Sequence, residues 1–159
     1  MKLLGALLVF GAVSWCGIQM SNTLKKRFEF YERFISALEI LKCEISFSAN
    51  DLKSAFENTY RVSGADVFLY AAGKLVTDGF DKAWEKAVDE ARVADREIAM
   101  LLSSKLGKTD TDGQIKHIDY VLGIAQEARK EAKNKYEKTG VLYRRGSILL
   151  GIFAVLLFL

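Results

Sequence analysis

Not one proline interrupts the 159 residues of this chain. Proline is the residue that most reliably stops a helix, because it lacks an N–H and its ring clashes with the preceding turn. Only Gly, Asn, Asp and Ser are left to punctuate the sequence, and good helix formers fill the stretches between them. No β-branched alternation runs over a useful length. The fold class is therefore all-α, and the length fits one domain.

Hydrophobicity divides the chain unevenly. Half the residues are hydrophobic, yet both ends are apolar while the middle is amphipathic and charged. From Leu3 to Met20 only Ser14 and Gln19 are polar, and about 20 apolar residues in a helix span a bilayer. Lys2 precedes this segment and Lys25-Lys26-Arg27 follows it, so the positive-inside rule puts the next stretch of chain in the cytoplasm. Removal as a signal peptide is the rival reading. No Ala-x-Ala site is present, and bulky Trp15 stands where the box Val13-Ser14-Trp15-Cys16 needs a small residue for lipoprotein cleavage. At the other end Ile148 to Leu159 is apolar but short for a span. Counted from Val141, with Arg144 and Arg145 snorkelling to the interface beside Tyr143, it approaches the required length. The expected organisation is a transmembrane helix over 1–22, a cytoplasmic bundle of about six helices over 23–140, and a transmembrane helix over 141–159.

Within the middle, Phe34, Ile35, Leu38, Leu41 and Ile45 recur at helical steps over Leu24 to Phe47. Ser48-Ala49-Asn50-Asp51 breaks that helix, and Ser63-Gly64 ends a shorter one. Val67, Leu69, Tyr70, Ala71 and Leu75 mark a buried third segment. After the Asp78-Gly79 turn, Asp81 is a candidate N-cap for a helix carrying Trp84, Val88 and Ala91, with a continuation or restart near Asp95. An internal echo is visible: Leu52-x-x-Ala55-Phe56-Glu57 and Phe80-x-x-Ala83-Trp84-Glu85 each open a helix after a turn. Alanine there permits close helix approach, and its large neighbour fills the core.

The longest run of turn-forming residues is Lys105-Leu106-Gly107-Lys108-Thr109-Asp110-Thr111-Asp112-Gly113-Gln114. Gly107 is placed to cap the preceding helix in a left-handed conformation. Thr111 and Gln114 have capping-box spacing, and Asp112 adds negative charge to a first helical turn. The pattern is that of a helix–turn–helix corner. Beyond it, Ile115, Ile118, Leu122, Ala125, Ala128 and Ala132 make the apolar stripe of a long last helix, whose other face carries Glu127, Arg129, Lys130, Glu131 and Lys133. Such a face is either solvated and laced by ion pairs or a docking surface for another protein. His117 lies in the same helix, and a lone histidine there needs no special role.

Several chemistries are excluded. The net charge of +3 arises from interleaved acids and bases, which gives no nucleic-acid footprint. Cys16 and Cys43 fall in different segments and read as small hydrophobes. No Gly-rich phosphate loop and no nucleophile motif occurs, and Asp110 with Asp112 falls far short of a calcium loop. No enzyme and no cofactor are expected.

The pattern Leu106-Gly107-x-Thr109-Asp110-x-x-Gly113-Gln114, before a charged helix and an apolar terminus, resembles the stage III sporulation protein AB family. That family is similar in turn to the cytoplasmic domain of the type II secretion F protein, the inner-membrane platform. The resemblance implies a structural subunit of a channel or secretion-like complex between mother cell and forespore. It would lie in the outer forespore membrane with its soluble domain in the mother-cell cytoplasm. Implied partners are a secretion-type cytoplasmic ATPase and other membrane subunits, with self-association possible because this chain holds one such domain where the F protein has two. Leu106, Gly107, Thr109, Asp110, Gly113 and Gln114 are the candidate residues for partner or fold specificity, followed by Lys130 and Lys133. A membrane-anchored adaptor unrelated to secretion, or an exported helical domain, are the alternatives.

Overall fold

The computed structural model describes residues 2–47 and 51–158, with side chains except at 2–7, 9, 154, 157 and 158. The chain is all-helical, with no strand among the described residues. Its helices are α1 (Lys2–Phe47), α2 (Leu52–Ser63), α3 (Asp66–Asp78), α4 (Phe80–Glu90), α5 (Arg96–Leu101), α6 (Thr111–Lys135) and α7 (Val141–Phe158). A 3-10 turn, Leu102–Ser104, follows α5, and a wider π-type turn, Tyr136–Gly140, joins α6 to α7. Two compact units result: Glu29–Arg129, and Met1–Phe28 with Lys130–Leu159.

The Glu29–Arg129 unit is built on an aromatic core. Tyr31, Phe34, Leu38 and Leu41 lie at helical steps along α1 and are buried. Across from them Phe56, Phe68 and Trp84, one from each of α2, α3 and α4, form a triangle with ring centroids 5.2 to 5.8 Å apart. Edge-on and tilted packing of this kind adds to the burial term, itself about 1.5–3 kcal/mol for a large apolar side chain. Ala71, Ala83 and Ala87 are fully buried, and their small side chains let α3 lie close against α4. Both halves of the sequence echo therefore do the same work: Ala55 with Phe56 and Ala83 with Trp84 are all buried. The indole N–H of Trp84 is satisfied by the Ala99 carbonyl at 2.9 Å, and the buried Tyr31 hydroxyl donates to Asp95 Oδ2 at 2.7 Å.

Ion pairs fix how α1 and α6 run within this unit. Lys42 Nζ lies 2.6 and 2.8 Å from the two carboxylate oxygens of Asp119, and Arg129 Nη1 is 4.0 Å from Glu32 Oε1. As the number rises on one helix it falls on the other, so the two are antiparallel. These pairs are largely exposed, and each is worth only about 0–1 kcal/mol.

Local chemistry accounts for most helix ends. Asp51 caps α2, its Oδ1 accepting from the Ser54 N–H at 3.1 Å, and Gly64 closes that helix at φ 66°. Asp95 caps α5 through Ile98 N–H at 3.3 Å. Two expectations need correction. Asp81 is not the cap of α4 but lies in its first turn, because Gly79 at φ 73° takes the chain from α3 directly into α4. Nor do separate helices meet near Leu24, for α1 is continuous from Lys2 to Phe47 and runs through Ser21-Asn22, where the apolar segment passes into the charged one.

The other unit pairs the start of α1 with α7 through small residues. Gly17, Ser21, Gly140, Ser147 and Gly151 are buried, while Leu8, Trp15, Leu149, Phe153 and Leu156 are each at least 60% exposed. The glycines are there for close approach. A Cβ at Gly17 would lie 2.2 Å from Ser147 Oγ, and one at Gly151 would lie 2.6 Å from the Phe10 ring. Small residues inside and large apolar ones outside invert the pattern of a water-soluble hairpin. Among the described residues no helix is long and apolar enough to cross a membrane. The spans expected over 1–22 and 141–159 extend onto residues outside that set, and the described charge-free run of α7 begins only after Arg145.

Candidate functional site

The corner between α5 and α6 gathers the sequence-predicted residues of the motif. Leu106 is fully buried and pins the loop to the core. Gly107 follows at φ 73°, a conformation in which any Cβ is strained. The Lys108 N–H returns to the Lys105 carbonyl at 3.1 Å, and the Lys108 ammonium reaches the Ser103 carbonyl at 3.2 Å and Asp81 Oδ1 at 2.8 Å. Thr109 Oγ1 lies 3.5 Å from the Lys105 carbonyl, a marginal bond.

The capping arrangement differs from the expected Thr111–Gln114 box. Asp110 precedes the first helical residue, and its Oδ1 accepts from the Gly113 N–H at 3.3 Å while its carbonyl accepts from the Gln114 N–H at 3.0 Å. A carboxylate at this position answers both an orphan N–H and the positive end of the helix dipole, which a threonine hydroxyl one residue later does not. Gln114 is thereby released for another task. Its Oε1 accepts from the Gly107 N–H at 3.3 Å and its Nε2 donates to the Thr109 carbonyl at 2.9 Å. One side chain thus spans both ends of the loop.

Gly113 is explained by the same geometry: a Cβ there would fall 2.8 Å from Asp110 Oδ1 and 2.9 Å from Thr109 Oγ1. The motif Leu-Gly-x-Thr-Asp-x-x-Gly-Gln is a self-consistent loop in which each named residue has an internal partner or a conformational reason. Lys130 and Lys133 belong to the other unit, where Lys133 lies 3.9 Å from Glu137 Oε1.

Two residues outside the motif contribute to the corner. His117 is buried, with Nε2 2.8 Å from the Leu101 carbonyl and 3.1 Å from Ser104 Oγ. The carbonyl only accepts, so this geometry assigns the proton to Nε2. The ring ties α6 to the end of α5, a role that a lone histidine in a helical stripe does not announce. Glu44 is the other. Near the end of α1, it lines a cleft of about 240 Å³ together with Gly107, Thr111 and Gln114. Among the described residues no group of three His, Cys, Asp or Glu is placed to hold a metal ion, and the Asp110 carboxylate is engaged in the helix cap.

A family model for stage III sporulation protein AB matches residues 2–159. The chain belongs to the stage III sporulation protein AB family. Stage III sporulation protein AB of Bacillus subtilis (strain 168) is similar to it, 24% identical over an alignment of 171 positions that covers 99% of this chain and 98% of that protein. A solved structure of stage III sporulation protein AB covers 70% of this chain and 96% of its own, with a TM-score of 0.61 at 21% identity. That likeness is one of fold. The relatives carry the name of a sporulation stage and of no catalytic activity.

Proposed function

We propose that this chain is a structural, non-catalytic membrane subunit of the sporulation complex between mother cell and forespore. Its terminal helices form a membrane anchor, and the Glu29–Arg129 unit is a docking module in the mother-cell cytoplasm. The observation that carries the reading is family membership over nearly the whole chain. Support for the anchor comes from the hairpin: a buried seam of Gly17, Ser21, Gly140, Ser147 and Gly151 with large apolar residues outside is how helices pack in lipid, where close backbone approach replaces the hydrophobic drive. Arg144 and Arg145 are exposed at the start of α7, where their long stems extend to an interface.

The proposed partner is a secretion-type ATPase, by way of the resemblance read between this family and the cytoplasmic domain of the secretion F protein. Other membrane subunits, or a second copy of this chain, complete the platform. Docking uses the corner Leu106–Gln114 of the Glu29–Arg129 unit; Lys130 and Lys133, where the other unit begins, are a second and separate candidate surface. The site residues need no chemistry for this, only a rigid shape and a charge pattern that selects a partner.

The test is performed on the full-length tagged chain in sporulating cells of the source organism. Membranes are first washed with alkaline carbonate; retention in the pellet is expected, and release into the supernatant refutes the anchor. Detergent-solubilised chain is then purified and probed for the ATPase. Recovery that falls with Lys130→Glu and Lys133→Glu, in variants of unchanged thermal stability, supports docking. A folded chain that recovers none while the ATPase is present in the lysate refutes it.

A further inference from the structure

Charge is divided between the two units more sharply than the chain's net +3 suggests. The unit of Met1–Phe28 with Lys130–Leu159 carries ten lysines and arginines against two acidic residues, Glu131 and Glu137. The positive excess therefore lies on the hairpin, and the Glu29–Arg129 unit is net acidic.

Helix pairing gathers these cations into one band. A Cβ at Gly17 would meet Ser147, and one at Gly140 would lie 3.5 Å from Ser21 Oγ, so α1 and α7 run antiparallel. Lys25, Lys26 and Arg27 follow Ser21 on α1, while Lys138 and Lys135 precede Gly140 by two and five residues, which makes the two groups level. Arg144 and Arg145 fall between Gly140 and Ser147, toward the apolar end. All seven are exposed, and from Arg145 to Lys135 the band is about 15 Å deep at helical rise. Among the described residues Lys26, Lys135, Lys138, Arg144 and Arg145 have no ion-pair partner. The carboxylate within the band, Glu137, lies 3.9 Å from Lys133.

The apolar side of this band bears Trp15, Leu149 and Phe153, each at least 60% exposed. Leu142 and Tyr143 are exposed beside the two arginines. Aliphatic, aromatic and basic side chains mixed at one level suit the boundary between hydrocarbon and headgroups. A headgroup layer is about 5–8 Å thick, and an anionic surface acts over about 8 Å more at physiological salt. Together these match the depth of the band. An acidic protein would answer the cations but leave the adjoining apolar ring unexplained.

We propose that the band binds anionic phospholipid headgroups and enriches them around the hairpin. The inference rests on the anchor reading and adds the lipid class to it. Trp15 lies just on the apolar side of the Gly17–Ser147 contact and reports its lipid neighbours by fluorescence. Trp84, buried in the other unit, adds a constant background. The full-length chain is reconstituted in vesicles of equal parts phosphatidylcholine and phosphatidylglycerol. One preparation carries acyl-chain bromine on the first lipid, and a second carries it on the other. Bulk composition is the same in both, so chance contact quenches Trp15 equally. Brominated phosphatidylglycerol is expected to quench as if enriched about fivefold, as for one basic contact. The preference should fall toward parity at 1 M salt, where the screening length is about 3 Å. Lys26→Gln, Lys138→Gln, Arg144→Gln and Arg145→Gln combined should remove it, with helicity unchanged by circular dichroism. Equal quenching by both lipids, a preference that persists at 1 M salt, or an undiminished preference in the variant each overturns the proposal and leaves the anchor standing. Absence of quenching by either lipid refutes the anchor as well.

Discussion

Asp110 and Gly113 share one oxygen. Asp110 Oδ1 receives the Gly113 N–H at 3.3 Å, and the same atom stands 2.8 Å from where a Cβ on residue 113 would be. The cap can form only because that Cβ is missing. Alanine at 113 gains up to about 1 kcal/mol of helix propensity but displaces a cap worth about 1 kcal/mol and presses on Thr109 as well. The second pair of terms wins. Gly113→Ala should therefore lower stability by about 1 kcal/mol, as should Asp110→Ala. In the double variant the oxygen clash is gone, so the loss should be smaller than the sum. Urea unfolding of all four proteins measures this coupling; strictly additive losses would show that the two residues act independently.

At Gly107 the obstacle is the backbone and not the surroundings. Its φ is 73°, and the nearest atom to a methyl placed there is Leu52 Cδ2 at 3.8 Å, an ordinary contact. Gly107→Ala should cost about 1–2 kcal/mol, and Gly107→Asn less, because asparagine tolerates the left-handed region. Thermal melts of the two variants decide it. Equal losses would point to packing.

Arg92 carries the same strain without glycine's freedom. It is the described non-glycine residue with positive φ, at 48°, and it is exposed at the end of α4. Arg92→Gly should raise stability by about 1 kcal/mol, less the extra freedom that glycine gives the unfolded chain. A chemical-denaturation midpoint that falls would mean the arginine side chain contributes more than its backbone loses.

Asp51 gives the fold a pH-sensitive helix cap. The Ser54 side chain, and then the Ser54 N–H, hold its carboxyl below the ordinary value of 3.8. Its folded-state pKa is depressed, so its contribution is complete above the unfolded value and is lost as pH falls through the folded one. Asp51→Asn keeps a capping side chain but does not titrate. The stability gap between the two proteins should be steady from pH 7 to about 5 and shrink below about pH 4, read from urea midpoints across that range. A gap independent of pH would remove Asp51 from the acid response.

Much of the helical layout was legible because the signals were local. Gly64, Asp51 and Asp95 terminate or begin helices where turn chemistry requires it; Gly107 is left-handed as expected, but it does not cap the preceding helix, whose last 3-10 turn has already ended at Ser104 with Lys105 as its C-cap. The Ala-aromatic echo marked Phe56 and Trp84, which meet in the core. What escaped was decided by neighbours distant in sequence or by competition between adjacent residues. Thr111 and Asp110 both qualify as caps from spacing, and only the loop's path, with Gln114 drawn back to Gly107 and Thr109, selects Asp110. His117 and Glu44 are ordinary residues of amphipathic helices until Leu101 and Leu52 are brought beside them.

The wide turn at Tyr136–Gly140 acts on α7 as a single-base insertion acts on a reading frame. A π-type turn holds one more residue than an α turn, so it advances the angular phase of α7 by about 100°. Every later position is read from the shifted frame, including Ser147 and Gly151 on the buried seam. Deleting one residue there would keep α7 helical and leave its composition untouched, yet rotate both small residues away from Gly17 and Phe10. The side chains that next came round would be large ones, and the close approach of the two helices would be lost without any change to the seam itself.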